Sequence, residues 1–207
     1  MTTFDWVAAV IVAASFIYVG MVLTVGGWLT ALRKGQAVTL LPAVGGRPLP
    51  LWTQLAYVFV GLILFVVLLV FGWIPFCRPD AHLKMILGVI GLILYVAGIA
   101  FVLWARRTLG RFWGLSTSRQ VKLLDDHQLI QSGPYALVRN PMYFGWYVAS
   151  LGLLLLYSVW ALLLLFLFSV IAFLGRAHRE EIALSERFGE VWVQYKKHTK
   201  FLIPFIY

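Results

Sequence analysis

The stretch Met142–Gly175, "MYFGWYVASLGLLLLYSVWALLLLFLFSVIAFLG", decides the fold, because its 34 residues carry no charge. As one helix, at 1.5 Å per residue, it would run roughly 50 Å, against a hydrocarbon core of about 30 Å. The run therefore reads as two short helices in a hairpin that turns near Tyr157–Trp160. Three apolar blocks precede it, Trp6–Leu29, Leu51–Ile74 and Leu83–Trp104, each long enough for one crossing. The expectation is an all-α integral membrane protein with about five transmembrane helices, the short C-terminal hairpin, and a cytosolic amphipathic helix.

Composition agrees. The chain has 207 residues, 62% of them hydrophobic and only 12% charged. A soluble domain carries about 25% charge. The N-terminus, "MTTFDWVAAV", lacks the basic region of a cleaved signal peptide, so the first block is expected to be a retained helix. The single cysteine, Cys77, excludes an internal disulfide and a cysteine-rich metal site. The four histidines, His82, His127, His178 and His198, have no metal-ligand spacing, so no metal is expected. The net charge of +9 points to membrane topology and anionic lipid rather than to nucleic acid.

The basic residues orient the spans. Arg33, Lys34 and Arg47 lie between spans one and two. Arg106, Arg107, Arg111, Arg119, Lys122 and Arg139 lie between spans three and four. Arg176, Arg179, Arg187, Lys196, Lys197 and Lys200 follow span five. Five spans put all of these on one face and leave only Arg78 and Lys84 on the other, whereas four spans scatter them. The positive-inside rule then places the N-terminus outside and the C-terminus in the cytosol. No repeat or linker divides the chain, which reads as a single membrane domain: three N-terminal spans (1–104), then a polar-rich C-terminal region (105–207). Six of the eight acidic residues, Asp125, Asp126, Glu180, Glu181, Glu186 and Glu190, fall in that second part.

Three segments there can carry chemistry. Asn140-Pro141 reads as a helix start, with Asn as cap and Pro at the first position. Its free N–H groups suit a carboxylate or phosphate, although any membrane helix needs a cap. Gly175–His198 reads as one amphipathic helix leaving the membrane, with Leu184, Phe188, Val191, Trp192 and Tyr195 along a stripe. Arg176 and Glu180 share a face of it. They form either a surface ion pair worth about 0–1 kcal/mol or a site for an anionic ligand at Arg176 and a polar or cationic one at Glu180. Arg106–Gln131 mixes basic, aromatic and small residues, and could be an interfacial segment or a cover over a cofactor.

"HQLIQSGPYALVRNPMYFGWY" (His127–Tyr147), followed after the hairpin by "REEIALSERFGEVWVQYKKHTKFLIPFI" (Arg179–Ile206), resembles isoprenylcysteine carboxyl methyltransferase and, more widely, the phospholipid N-methyltransferases. The resemblance rests on a G-x-Y turn, an R-H-P-x-Y helix start, a paired-glutamate helix with an F-G-x-x-[YW]-x-x-Y pattern, and a terminal Pro. It covers about Gln120–Tyr207. It implies an integral membrane enzyme that uses S-adenosylmethionine and releases S-adenosylhomocysteine. By position it implies cofactor contacts at Gln120, His127, Gln128, Leu129, Ile130, Tyr135, Asn140, Pro141, Met142, Tyr143 and Glu180. It assigns Arg176 to the anionic acceptor, as the substrate-binding and catalytic residue.

One position departs from the pattern: Asn140 stands where the family has His, and Asn cannot titrate near neutral pH. A carboxylate is already ionised there, whereas an amine must first lose a proton. The first reading is therefore methylation of a lipidated or lipophilic carboxylate at the cytosolic interface, on an isoprenylcysteine-like substrate. The alternatives are a phospholipid or amine N-methyltransferase, an NADPH-dependent membrane reductase, and a non-catalytic membrane protein.

Overall fold

The structure, a computed structural model, describes residues 2–19, 50–110 and 128–206. All the regular structure among them is helical: α1 (Thr3–Phe16), α2 (Leu51–Phe71), α3 (Ala81–Leu109), a 3-10 turn (Gly133–Ala136), α4 (Pro141–Tyr157), α5 (Trp160–Phe188) and α6 (Glu190–His198). The chain falls into two compact units, with α1 in one and α2–α6 in the other. α1 starts on a reciprocal cap, where Asp5 N–H donates to Thr2 Oγ1 at 3.2 Å and Thr2 N–H donates to Asp5 Oδ2 at 2.7 Å.

α3 and α5, at 29 residues each, are long and apolar enough to cross a membrane; α1 and α4 are shorter apolar helices. α3 begins earlier and ends later than the apolar block alone indicates. Asp80 caps it by accepting from Leu83 N–H at 2.9 Å, and Arg106 and Arg107 occupy its last turn, where cations suit the dipole. The hairpin turns where the sequence places it. α4 ends at Tyr157, Ser158 adopts a left-handed conformation (φ 50°), and α5 starts at Trp160. The segment after α2 closes this end: Ser158 O accepts from Phe76 N–H at 3.0 Å, Trp160 N–H donates to Ile74 O at 3.0 Å, and Ala161 N–H donates to Gly72 O at 2.9 Å.

The amphipathic helix is not the single element expected over Gly175–His198. Its first half is the end of α5, and the chain breaks at Gly189 (φ 48°, ψ −118°) before α6. A positive φ is readily adopted only by glycine, so "FGE" stops the helix although the apolar spacing continues through it. The break turns Trp192 and Tyr195 into buried positions and leaves Val191 exposed.

α4 packs more extensively on α3 than on α5. The close face is made of small residues, as expected where lipid supplies no hydrophobic drive between helices. A Cβ on Gly91 would stand 2.6 Å from Gly152 O, one on Gly98 2.6 Å from Gly145 O, and one on Gly145 2.8 Å from Val102 Cγ2. The two backbones touch, and no larger residue fits between them. Gly98→Leu is expected to lower the thermal midpoint of the detergent-purified protein, by the equivalent of about 1–3 kcal/mol for overpacking. Gly61→Ala, where nothing lies within 4 Å, is the control and should leave the midpoint unchanged or slightly higher.

Candidate functional site

At the end of α2–α6 opposite the hairpin turn, the start of α4 meets the middle of α5. Phe173, Arg176 and Glu180 are three and four residues apart, and so share one helical face. The Tyr143 hydroxyl donates to Glu180, 2.9 Å from Oε1 and 3.0 Å from Oε2. Arg176 Nε donates to Glu180 Oε1 at 2.9 Å. The Tyr143 ring stacks on Phe173, with centroids 5.3 Å apart. The Arg176 and Glu180 side chains keep 37% and 27% of their surface exposed, so this ion pair remains open to a ligand.

One residue further along α5 the chemistry is closed. Glu181 is buried, and its Oε1 accepts from Arg139 Nε at 2.6 Å and from Asn140 Nδ2 at 3.3 Å. The same Asn140 amide donates to Phe201 O at 3.0 Å. Arg139 also donates from its Nη1 to Thr199 O and Lys196 O, from its backbone N–H to Lys200 O at 2.8 Å, and lies 5.9 Å over the Phe201 ring. The segment after α6 is thus bound onto the chain just before α4. Tyr195 adds another tie, its hydroxyl donating to Tyr135 O at 2.6 Å. Every buried side-chain polar atom among the described residues has a partner, as low dielectric requires.

Of the residues implied by the resemblance, Tyr143, Arg176 and Glu180 come together directly. Tyr135 joins them more loosely: burial, with Tyr195 and Glu180 nearby, pushes its phenol above the usual tyrosine range. Gly133 (φ 60°) makes the turn that brings it there, against Thr108 and Trp104 of α3. Pro141 is buried at the first position of α4, and Met142 is half-buried beside it. Gln128 is exposed, and Leu129 and Ile130 are half-buried in the chain leading to the turn; no hydrogen bond among the described residues ties them to Glu180. Gln120 and His127 lie outside the described residues.

Asn140 departs from its expected role as a cap. Its side chain makes no capping bond; it is turned so that Nδ2 donates to Glu181 and to Phe201 O. The Met142 and Tyr143 N–H groups are therefore not taken by it. Sequence reasoning missed Arg139 and Glu181 as a pair, along with Tyr195 and Thr199. The signal was present in Glu180-Glu181: neighbours on a helix point about 100° apart, so the two face different surroundings, and here the one that turns inward is met by a cation.

The profile of the phospholipid methyltransferase family matches residues 83–191, more than half of the chain. The chain belongs to this family. The match takes in α3, α4, α5 and all of Tyr143, Arg176, Glu180 and Glu181, and stops short of the segment bound by Arg139. Family relatives named protein-S-isoprenylcysteine O-methyltransferase are 33% identical over 141 residues in Xenopus laevis, covering 65% of this chain and 48% of that one. The one in Homo sapiens is 30% identical over 151 residues, covering 65% and 49%. The one in Schizosaccharomyces pombe is 37% identical over 82 residues, covering 39% and 35%. The chain spans about half the length of the first two. A solved structure of a eukaryotic intramembrane Ras methyltransferase, isoprenylcysteine carboxyl methyltransferase, is 27% identical with a TM-score of 0.53, and the likeness covers 76% of this chain and 55% of that one. With the apolar helices, these likenesses make this family member a membrane protein.

The tyrosines of the closed cluster give it a pH dependence. Burial pushes the Tyr195 phenol up, and Arg139 and Thr199 pull it back only in part. Tyr135 is raised as well. The unfolded chain loses these protons near pH 10, while the folded chain keeps them. Stability is therefore complete below about pH 10 and falls as pH rises beyond it. The thermal midpoint, followed from pH 8 to 11, should decline above about pH 10. Tyr195→Phe should decline less steeply, from a starting value lowered by one hydrogen bond, about 1 kcal/mol.

Proposed function

We propose that this chain transfers a methyl group from S-adenosylmethionine to the carboxylate of a lipidated, isoprenylcysteine-like acceptor at the cytosolic face of the membrane. The observation that carries the reading is the half-exposed Tyr143–Glu180–Arg176 cluster in a family whose curated relatives are named O-methyltransferases. In this reading the chain crosses the membrane five times, with the N-terminus outside and the bulk of its arginines and lysines in the cytosol. The end holding Arg106, Arg139 and Arg176 is the cytosolic one, and the turn beside Arg78 faces away.

The residues present fit the cofactor's charges. Glu180 takes the ammonium group or the ribose hydroxyls. The Met142 and Tyr143 N–H groups at the start of α4 take the carboxylate. Tyr135 and Tyr143 offer ring faces to the sulfonium or the adenine. S-adenosylmethionine supplies an electrophilic methyl group and leaves as S-adenosylhomocysteine. Arg176 holds the acceptor carboxylate by a charge-assisted contact, so the chain contributes alignment and charge placement. The acceptor's lipid tail stays in the bilayer while its polar end reaches Arg176.

Asn140 favours a carboxylate over an amine. It is neutral at every pH, and its amide is committed to Glu181 and Phe201 O, so it takes no proton from an acceptor. A carboxylate needs no such base.

Purified protein is incubated with methyl-labelled S-adenosylmethionine and a panel of prenylated cysteines, phospholipids and amines. The expected result is base-labile label on a prenylated cysteine. Base-stable label on an amine would replace the reading with N-methylation, and a folded preparation that binds no cofactor would remove both. Glu180→Gln should weaken cofactor binding at least about 10-fold, the loss of one charged contact worth about 1.4 kcal/mol or more. Arg176→Ala should lower turnover with a smaller change in cofactor affinity. The opposite pattern would exchange the two roles.

A further inference from the structure

Two contacts join α4 to α5 at this end, and they sit side by side. Tyr143 reaches Glu180. Three and four residues earlier, Asn140 and Arg139 reach Glu181. Neither Arg139 nor Glu181 faces the open cluster: their side chains are 8% and 11% exposed.

We infer that Arg139 is a positioning residue, which uses Glu181 and the carbonyls of the segment after α6 to set the register in which Tyr143 meets Glu180. Geometry supports this. The Tyr147 hydroxyl, which donates to Val170 O at 3.1 Å, ties α4 to α5 nearer the hairpin turn; at the first turn of α4, attachments on two adjacent residues of α5 hold its rotation together with its translation, where the Tyr143 contact alone would hold a single point. The guanidinium is suited to the task because its planar fork serves several acceptors in fixed directions. Here it serves Glu181 from Nε and the carbonyls of Lys196 and Thr199 from Nη1. Its backbone N–H adds Lys200 O, and Asn140 adds Phe201 O.

The carbonyl partners come from residues 196–201, beyond the 83–191 region that the family profile matches. The C-terminal segment is thus part of the framework of the site, although none of these contacts reaches Glu180. The inference rests on the cofactor reading only for its effect on binding; the register itself is a property of the protein alone.

The test places 3-fluorotyrosine at position 143 of the full chain in detergent and compares its fluorine resonance among variants. Glu180→Ala, which removes both acceptor oxygens of the Tyr143 hydroxyl, gives the position of the broken contact. Arg139→Gln is expected to move the resonance at least halfway toward that position, and to weaken S-adenosylhomocysteine binding at least about 10-fold per folded molecule. Arg139→Lys, which keeps the charge and loses the fork, should fall between Arg139→Gln and the wild type. Lys197→Gln, an exposed change in α6, should match the wild type. A folded Arg139→Gln protein whose thermal midpoint drops while the Tyr143 resonance stays in place would overturn the inference, since a purely structural role predicts that result. Should Arg139→Gln fail to fold, Arg139→Lys and Glu181→Gln give the same reading. Should the wild type bind no cofactor product, the cofactor reading fails, and the resonance comparison still decides the register.

Discussion

A carboxylate at the end of an apolar helix pair cannot stand alone. Taking Glu181 out of water costs several kcal/mol unless a cation and further donors meet it, and removing one partner of such a pair costs about 3–5 kcal/mol. Arg139 is the cation and Asn140 the further donor. Much of the local architecture follows. Arg139 lies just before α4, so the start of α4 is drawn against α5. Its remaining donors need acceptors in the same dry place, and the last turn of α6 with the chain after it supplies carbonyls at Lys196, Thr199 and Lys200. For that segment to arrive, the helix running out of α5 must reverse, and Gly189 provides the break.

The two ends of the helical hairpin are held by different physics. At the turn, Gly72, Ile74 and Phe76 pair their backbone groups with Ser158, Trp160 and Ala161, and Trp160 sets its ring against Phe76. Along the shaft, glycines let α3 and α4 touch backbone to backbone. At the far end, charge takes over. α3 and α4 form the stiff pair, and α5 is the helix whose position depends on polar contacts.

The division of the C-terminal apolar run into two helices was legible because length alone constrains it. An uncharged run of 34 residues is too long for one crossing, and Tyr157–Trp160 was the place to divide it. Asp80 and the basic end of α3 extend that helix by rules that act within one turn. The Arg176–Glu180 pair was legible for the same reason, being four residues apart on one helix. Contacts between distant segments were not. Arg139 and Glu181 are 42 residues apart, and Asn140 and Phe201 are 61 apart; no periodicity links them. Local rules also misled where tertiary demand was stronger. Asn140 has the composition of a cap, yet its side chain is oriented by the donors it gives to a buried carboxylate and to Phe201 O rather than by α4's own N–H groups. The apolar stripe through Phe188 and Val191 has helical spacing, yet one glycine with positive φ overrides it.

The adjacent glutamates show how a membrane-interface site reconciles rigidity with exchange. A carboxylate that must release one ligand and take up another needs access to water, and so cannot also be the anchor of the fold. A carboxylate that anchors the fold must be fully paired, and so cannot turn over ligands. Helical geometry separates the two duties over a single peptide bond. Glu181 points inward to Arg139 and Asn140, while Glu180 points along the Arg176 face with 27% of its side chain exposed. The inward residue carries the desolvation cost once, on folding. The outward one is then presented at a fixed place with contacts that a ligand can share. In the proposed reading this is why a chain with so few acidic residues sets two of them side by side. It also explains why an asparagine can stand at position 140: the framework there asks for a hydrogen-bond donor to Glu181 and to a backbone carbonyl, and an amide meets both demands without a charge.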